Sequence, residues 1–270
     1  MKFCLLTLVL FIHHRVNCQE LTTTHNKLLC EYKLTYKPDS TIEATKHELF
    51  ILAIDNGLSI FKSVSGISRD SLTDAYSKVP FTQENMQLML GDLNKIPKTN
   101  FNYSIYKTVA SKAVTYYEQV GRNKYTYQEP TNSLSWNVIN EIATITGYKC
   151  QKATTEFGGR IFEAWFTREI PIAEGPYKFY GLPGLIVKIN DNRNFYIFSL
   201  ISLKQSIALQ PIIMPSQATK TTKEEFSKGK AAYAAGALDR VAAMGNTITE
   251  SDRQQFKERA KKRNNPLELK

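Results

Sequence analysis

A two-residue period constrains this chain more than any other feature. Cys30, Tyr32, Leu34 and Tyr36 alternate with Glu31, Lys33, Thr35 and Lys37, so one face of an extended segment is suited to a core and the other to water. The same alternation recurs in shorter pieces. It places Phe101, Tyr103 and Ile105 together, then Tyr125 with Tyr127, then Leu134 with Trp136 and Val138, and it marks residues 114–118, 148–153, 160–167, 185–189 and 195–201. Short strands at regular spacing imply an antiparallel sheet, and about ten of them are more than a flat sheet usually holds. The expected fold is therefore mainly β within an α+β class: a curved antiparallel sheet, either a half-barrel or a partly closed barrel. Asn56-Gly57 between two apolar runs predicts a two-residue hairpin, because both positions accept a positive φ.

Helical signals fall in two places. Residues 68–95 read as two short helices. Ser68 or Asp70 caps the first, Pro80 separates the pair, and Pro97 stops the second after the apolar face of Met86, Leu88, Met89, Leu90 and Leu93. Further on, Thr222 and Glu225 form a capping box ahead of a stripe of Phe226, Tyr233, Ala234, Ala237, Leu238 and Val241. Thr249 and Asp252 open a last helix whose main large apolar residue is Phe256 and which ends in Lys257, Arg259, Lys261, Lys262 and Arg263. No internal repeat or low-complexity linker divides the chain. The expected organisation is one β-rich domain over residues 19–244, with a few packing helices, and a basic helical appendage over 245–270.

The N-terminus speaks to compartment. Residues 3–12 form a ten-residue apolar-leaning run behind Lys2, too short for the about 20 residues of a membrane-spanning helix and suited to a secretory signal peptide. Val16-Asn17-Cys18 places the expected cleavage between Cys18 and Gln19, making residues 1–18 the signal. Lipidation of Cys18 is the weaker alternative, since Arg15, Val16 and Asn17 do not match a lipoprotein signal. The exported chain is expected in the periplasm, at the outer-membrane periphery or outside the cell, with no transmembrane segment. Cys30 and Cys150 remain as an even pair that could form a disulfide in an oxidising compartment.

Only His25 and His47 remain after the signal. Neither has a partner at the spacing of a tetrahedral metal site, and no nucleophile elbow accompanies them, so no metal, cofactor or catalytic triad is expected. The net charge of +10 raises nucleic acid as a partner. Residues 220–270 alone hold 12 basic and 7 acidic side chains, so half of the excess is a local property of the C-terminal tail, in a chain exported away from nucleic acid.

The densest pattern lies between Trp165 and Asp191. Ile170-Pro171-Ile172 is followed by Gly175-Pro176-Tyr177-Lys178-Phe179 and then by Gly181-Leu182-Pro183-Gly184-Leu185-Ile186. This stretch resembles the GLPGLI family of secreted proteins from Gram-negative bacteria, whose molecular function is unknown. The resemblance extends to Ala164-Trp165, to residues 149–153 with Gly159-Arg160, and to Asn265-Pro266-Leu267-Glu268-Leu269. It implies an exported protein and no particular activity.

Physically, Leu182-Pro183-Gly184-Leu185 suits a type II turn, with Pro fixing φ at its second position and Gly supplying a positive φ at its third. A sheet corner that uses these residues for geometry and packing is one reading. The other is that the turns expose main-chain N–H groups beside Arg160, Trp165 and Tyr177, making a groove for a peptide or small ligand. The functional expectation is a non-enzymatic binding or accessory protein for a peptide, a protein or a lipid-like ligand of the cell envelope. The alternative is a hydrolase that uses two of Glu163, Glu169, Glu174 and Asp191, and it requires those carboxylates to converge.

Overall fold

The computed structural model describes residues 25–108, 113–130, 134–208 and 211–269. The expected signal peptide and its cleavage at Cys18-Gln19 lie outside the described residues.

The Asn56-Gly57 turn forms as the sequence predicts. It joins β2 (Lys46–Asp55) to β3 (Leu58–Ser63) with positive φ at both residues. Alternation places β1 (His25–Tyr36) against β2 on one side and β11 (Tyr196–Ala208) on the other. Beyond β3 come β4 (Tyr103–Thr108), β5 (Ala113–Val120) and β6 (Asn123–Pro130). Beyond β11 come β10 (Leu185–Asp191), β9 (Arg160–Thr167), β8 (Tyr148–Phe157) and β7 (Asn137–Ile145). These strands are antiparallel neighbours. A two-residue β12 (Thr219–Lys220) adds one parallel pairing outside β6, giving a single sheet that ends at β12 and β7 without closing.

This sheet is rolled. Lys178 Nζ lies 5.3 Å from the Tyr127 ring on β6 and 6.0 Å from the Phe157 ring on β8. Nine strand-to-strand steps separate β6 from β8 in the sheet order, which in a flat sheet is on the order of 40 Å. Both strands reach one side chain because the sheet curls round the segment between β9 and β10, residues 168–184. The expected partly closed barrel is therefore the fold, and its interior is plugged by its own chain. Aromatic rings fill that interior: Phe50 stacks on Phe61 at 4.7 Å, Phe198 meets both edge-on, and Phe179 of the plug lies 4.7 Å from Phe162.

The first helix, α1 (Val64–Ser77), begins one turn earlier than Ser68 or Asp70 would cap it. Ser63, the last residue of β3, accepts the Gly66 N–H at 2.9 Å, so the strand runs straight into the helix. Helix α2 (Gln83–Lys95) is capped by Thr82, and the Tyr76 hydroxyl donates to Asp92 across the pair. The capping box at Thr222 and Glu225 opens α3 (Lys223–Ala235). The stripe expected to continue to Val241 breaks at Gly236, so Ala237, Leu238 and Val241 belong to a separate α4 (Ala237–Ala243). Helix α5 (Glu250–Lys261) has its own box at Thr249 and Asp252 and buries no residue. The chain after α5 then returns to the barrel, where Asn265 and Leu267 are buried.

The disulfide expected between Cys30 and Cys150 is absent: both are buried free thiols. Strands β11, β10 and β9 stand between β1 and β8, roughly 19 Å along the sheet, against the about 7 Å that a disulfide can bridge.

Candidate functional site

Within the GLPGLI hexamer the turn is tighter than the sequence predicts. Gly184 N–H donates to Leu182 O at 2.7 Å, a three-residue γ-turn centred on Pro183, in place of the type II turn. Pro171 centres the same kind of turn, with Ile172 N–H on Ile170 O at 2.8 Å. A ring that fixes φ near −65° suits the central position of both. Gly184 answers a close approach: a Cβ there would sit 2.0 Å from Thr167 O of β9. A Cβ on Gly175 would meet Ile186 Cδ1 at 2.7 Å. Gly181, at φ +92°, is the one that meets a left-handed requirement in open space.

Many main-chain donors of this stretch are engaged, and residues 175–179 are buried. Gly181 N–H reaches Ala173 O, Leu185 N–H reaches Ile170 O, Ile186 N–H reaches Glu174 O, and Phe179 N–H reaches Pro176 O. Leu182, Leu185 and Ile186 are buried. The groove of exposed N–H groups beside Arg160, Trp165 and Tyr177 is therefore not formed. Alternation along β9 also separates those residues. Trp165 shares the outer face with Ile161 and Glu163 and carries Lys152 at 5.4 Å, while Arg160 points inward with Phe162.

Three buried cations fasten the plug and the C-terminal segment. Lys107 of β4 donates to Gly175 O at 2.6 Å and pairs with Glu174 at 2.6 Å; Glu174 also accepts from Ser59. Arg160 pairs with Asp191 at 3.0 Å and donates to Leu267 O, Pro266 O and Asn265 Oδ1. Asn265 in turn donates to Lys37 O at 2.6 Å, and the Tyr196 hydroxyl donates to Asn265 O at 2.5 Å. Lys178 is 2% exposed and is neutralised by Glu129 and Glu268. It also lies over the rings of Tyr116, Tyr127, Phe157 and Tyr177, where a desolvated cation gains from the ring quadrupoles.

These pairings also separate the four carboxylates of the hydrolase reading. Glu174 belongs to Lys107, Asp191 to Arg160, and Glu163 to Lys152 at 2.8 Å, while Glu169 accepts the Lys149 N–H. No two of them meet at a shared space, and each already serves a structural partner. Among the described residues, no cluster of three or more His, Cys, Asp or Glu is arranged to hold a metal ion, and no helix is long and apolar enough to cross a membrane.

What the geometry does assemble is a cavity of about 580 Å³ between the inner wall of β4–β6, helix α3 and the C-terminal segment 265–269. Tyr36, Tyr103, Tyr116, Tyr127, Tyr177 and Tyr196 line it with Phe101 and Phe226, and Lys223, Lys230, Arg263 and Glu268 supply its charge. Burial pushes the pKa of all six tyrosine hydroxyls up, because the phenolate would lose its hydration. Glu268 is held below the usual carboxylate range despite its burial, by Lys178, Lys223 and the Tyr177 hydroxyl.

Five of the tyrosine hydroxyls have partners. Tyr36 accepts from Asn100, Tyr127 accepts from Lys178, Tyr116 donates to Glu118, Tyr177 donates to Glu268, and Tyr196 donates to Asn265 O. Tyr103, 7% exposed, has a buried hydroxyl with no partner among the described residues.

Of the residues singled out by sequence, Arg160 and Tyr177 lie at or beside this cavity. Gly175, Pro176, Gly181, Leu182, Pro183 and Gly184 build the plug behind it, with Pro171 near its start, and Leu185 and Ile186 open β10. Tyr36, Tyr103, Tyr116, Tyr127 and Tyr196 were not singled out. Their signal is the use of tyrosine on inward-facing strand positions where an aliphatic residue would pack without a hydroxyl to satisfy.

A family model described as a protein of unknown function (Porph_ging) matches residues 158–188, which run from the start of β9 through the plug into β10. No curated protein matches the chain. Among solved structures, the chain is similar to PNGF-II. In the P21 space group the likeness has a TM-score of 0.54 and 14% identity, over 77% of this chain and 34% of that one. In the C2 space group the figures are 0.54 and 12%, over 77% and 33%. The likeness is one of fold, and this chain spans about a third of the length of PNGF-II.

Proposed function

We propose that this chain is an exported cell-envelope binding protein that holds a small ligand, or the end of a peptide, in the tyrosine-lined cavity, and that it works by binding and not by catalysis. The observation that carries this reading is the cavity itself. Its volume of about 580 Å³ falls within the range of small-molecule sites, and it combines broad apolar walls with a few fixed polar groups. The neighbouring plug and C-terminal segment are held by paired and hydrogen-bonded buried cations, so the walls are set before a ligand arrives. Such preorganisation favours affinity, because little ordering remains to be done on binding. Export rests on the apolar run at residues 3–12 and the small residues before Gln19.

The experiment is native purification from a fractionated envelope, followed by mass spectrometry of the intact protein and of a denaturing extract. The reading predicts that the chain lacks residues 1–18, resides in the envelope fraction and carries a compound released only on unfolding. A cytoplasmic chain that retains residues 1–18, or a folded protein that repeatedly yields no compound or partner, contradicts it.

A further inference from the structure

The chemistry of the cavity narrows the ligand class, given the binding reading above. We propose that the cavity takes a flat-ringed organic anion, with its ring among the tyrosine faces, an acceptor oxygen on the Tyr103 hydroxyl and its negative group paired with Arg263.

Three observations converge on this. First, the walls are aromatic: six tyrosines and two phenylalanines line the space, and Tyr116 already stacks on Tyr127 at 4.7 Å with Phe226 at 5.3 Å from Tyr116. Ring faces favour offset or edge contacts with another flat ring, whereas a flexible acyl chain is better matched by aliphatic walls. Second, Tyr103 is the one lining tyrosine whose hydroxyl has no partner among the described residues, and it is more than nine-tenths buried. A buried hydroxyl without a partner is unfavourable, and a ligand oxygen that accepts its proton removes that penalty. Third, the lining charges are committed except for one. Lys223 bridges Glu129 and Glu268, Lys230 holds Glu118, and Glu268 is held by Lys178 as well. Arg263, which follows the last turn of α5, has no ion-pair partner among the described residues and leaves the lining with one uncompensated positive charge. Its planar fork matches a carboxylate or a similar oxyanion.

The test is isothermal titration of the full exported chain with three probes: 6-methoxy-2-naphthoate, whose ether oxygen and carboxylate are separate acceptors, (6-methoxy-2-naphthyl)methylammonium and decanoate. The naphthoate is expected to bind at least tenfold more tightly than the ammonium probe of the same ring, and more tightly than the ring-less anion. Tyr103→Phe is expected to weaken naphthoate about fivefold, the effect of one lost hydrogen bond. Because its hydroxyl has no internal partner to lose, this variant keeps the fold, which circular dichroism verifies. Arg263→Gln is expected to weaken naphthoate by a similar factor, with a difference that shrinks as salt is raised.

Equal binding of the ammonium probe, tighter binding of decanoate, or naphthoate affinity unchanged in both variants overturns the proposal. Binding of none of the probes also overturns it. These failures are distinguishable from failure of the binding reading. A cationic or acyl compound recovered from the native protein leaves the binding protein standing and removes this ligand class, whereas no recovered compound and no probe binding removes both.

Discussion

Raising the pH should unfold this protein abruptly, and the tyrosine cavity sets where. Tyr36, Tyr103, Tyr116, Tyr127, Tyr177 and Tyr196 are all buried, and burial pushes the pKa of each hydroxyl up in the folded state. Unfolded tyrosines ionise near pH 10. Above that pH the folded chain keeps protons that the unfolded chain gives up, so stability falls as pH rises. Each group contributes about 1.4 kcal/mol per pH unit until its folded pKa is reached, and six together about 8 kcal/mol per unit. The Cys30 thiol, pushed up to about 12 chiefly by burial, and the hydroxyls of Tyr32 and Tyr106, also raised chiefly by burial, act in the same direction. A domain stable by about 5–15 kcal/mol should therefore unfold within roughly two pH units above 10. Tyrosinate absorbance and far-ultraviolet circular dichroism, followed in one alkaline titration, provide the assay. The expected result is a steep absorbance step that coincides with loss of the sheet signal. A smooth, non-cooperative rise centred near the free tyrosine pKa, with the sheet intact, refutes the reasoning, because it means the six hydroxyls are solvated.

Other perturbations probe the plug and its fastenings. Arg160→Met leaves Asp191, which has no solvent exposure, without its cation, and should lower stability in urea unfolding by about 3–5 kcal/mol; a loss under about 1 kcal/mol contradicts the burial of that pair. Gly184→Ala drives a methyl into Thr167 O and should lose at least about 2 kcal/mol from overpacking. Gly147→Ala, which meets nothing within 4 Å, should lose about 1 kcal/mol from its positive φ alone, and a reversed order of the two losses counts against the close β9–plug contact. Non-reducing mass analysis should find Cys30 and Cys150 unbridged, with both thiols alkylated quickly only after unfolding; a protein lighter by two hydrogens contradicts the strand order between them.

Local pattern was legible where local physics decides. The alternation at residues 30–37 became β1, Asn56-Gly57 became its hairpin, and Thr222 with Glu225 became a capping box, because each of these needs only its own few residues. The curved sheet followed from strand number. The cavity was less legible. Its tyrosines come from β1, β4, β5, β6, β11 and the plug, and nothing in a two-residue period says which strands will face one another once the sheet rolls. Pro183 reads as a turn residue correctly in kind, but its turn closes more tightly than a type II turn, and Pro171, which stands out in the sequence only as part of the family pattern, centres a second γ-turn. Gly184 does carry a positive φ, +154°, but the demand that excludes a Cβ comes from Thr167 O on a neighbouring strand, which no reading of local φ sees. The segment 264–269 resembled the end of a solvated appendage because its main anchors, Arg160, Lys178 and Tyr196, lie 69 or more residues away in sequence.

The central claim is that the cavity between β4–β6, α3 and the C-terminal segment is where this protein meets its ligand. Ring-selective carbon-13 labelling of tyrosine and phenylalanine, with spectra recorded as 6-methoxy-2-naphthoate is added, tests it most directly. The account predicts saturable shifts at Tyr103, Tyr116, Tyr127 and Phe226, while Tyr76 and Phe81 in the α1–α2 hairpin stay fixed. Shifts confined to that hairpin, or none at Tyr103 when the probe is bound, contradict it.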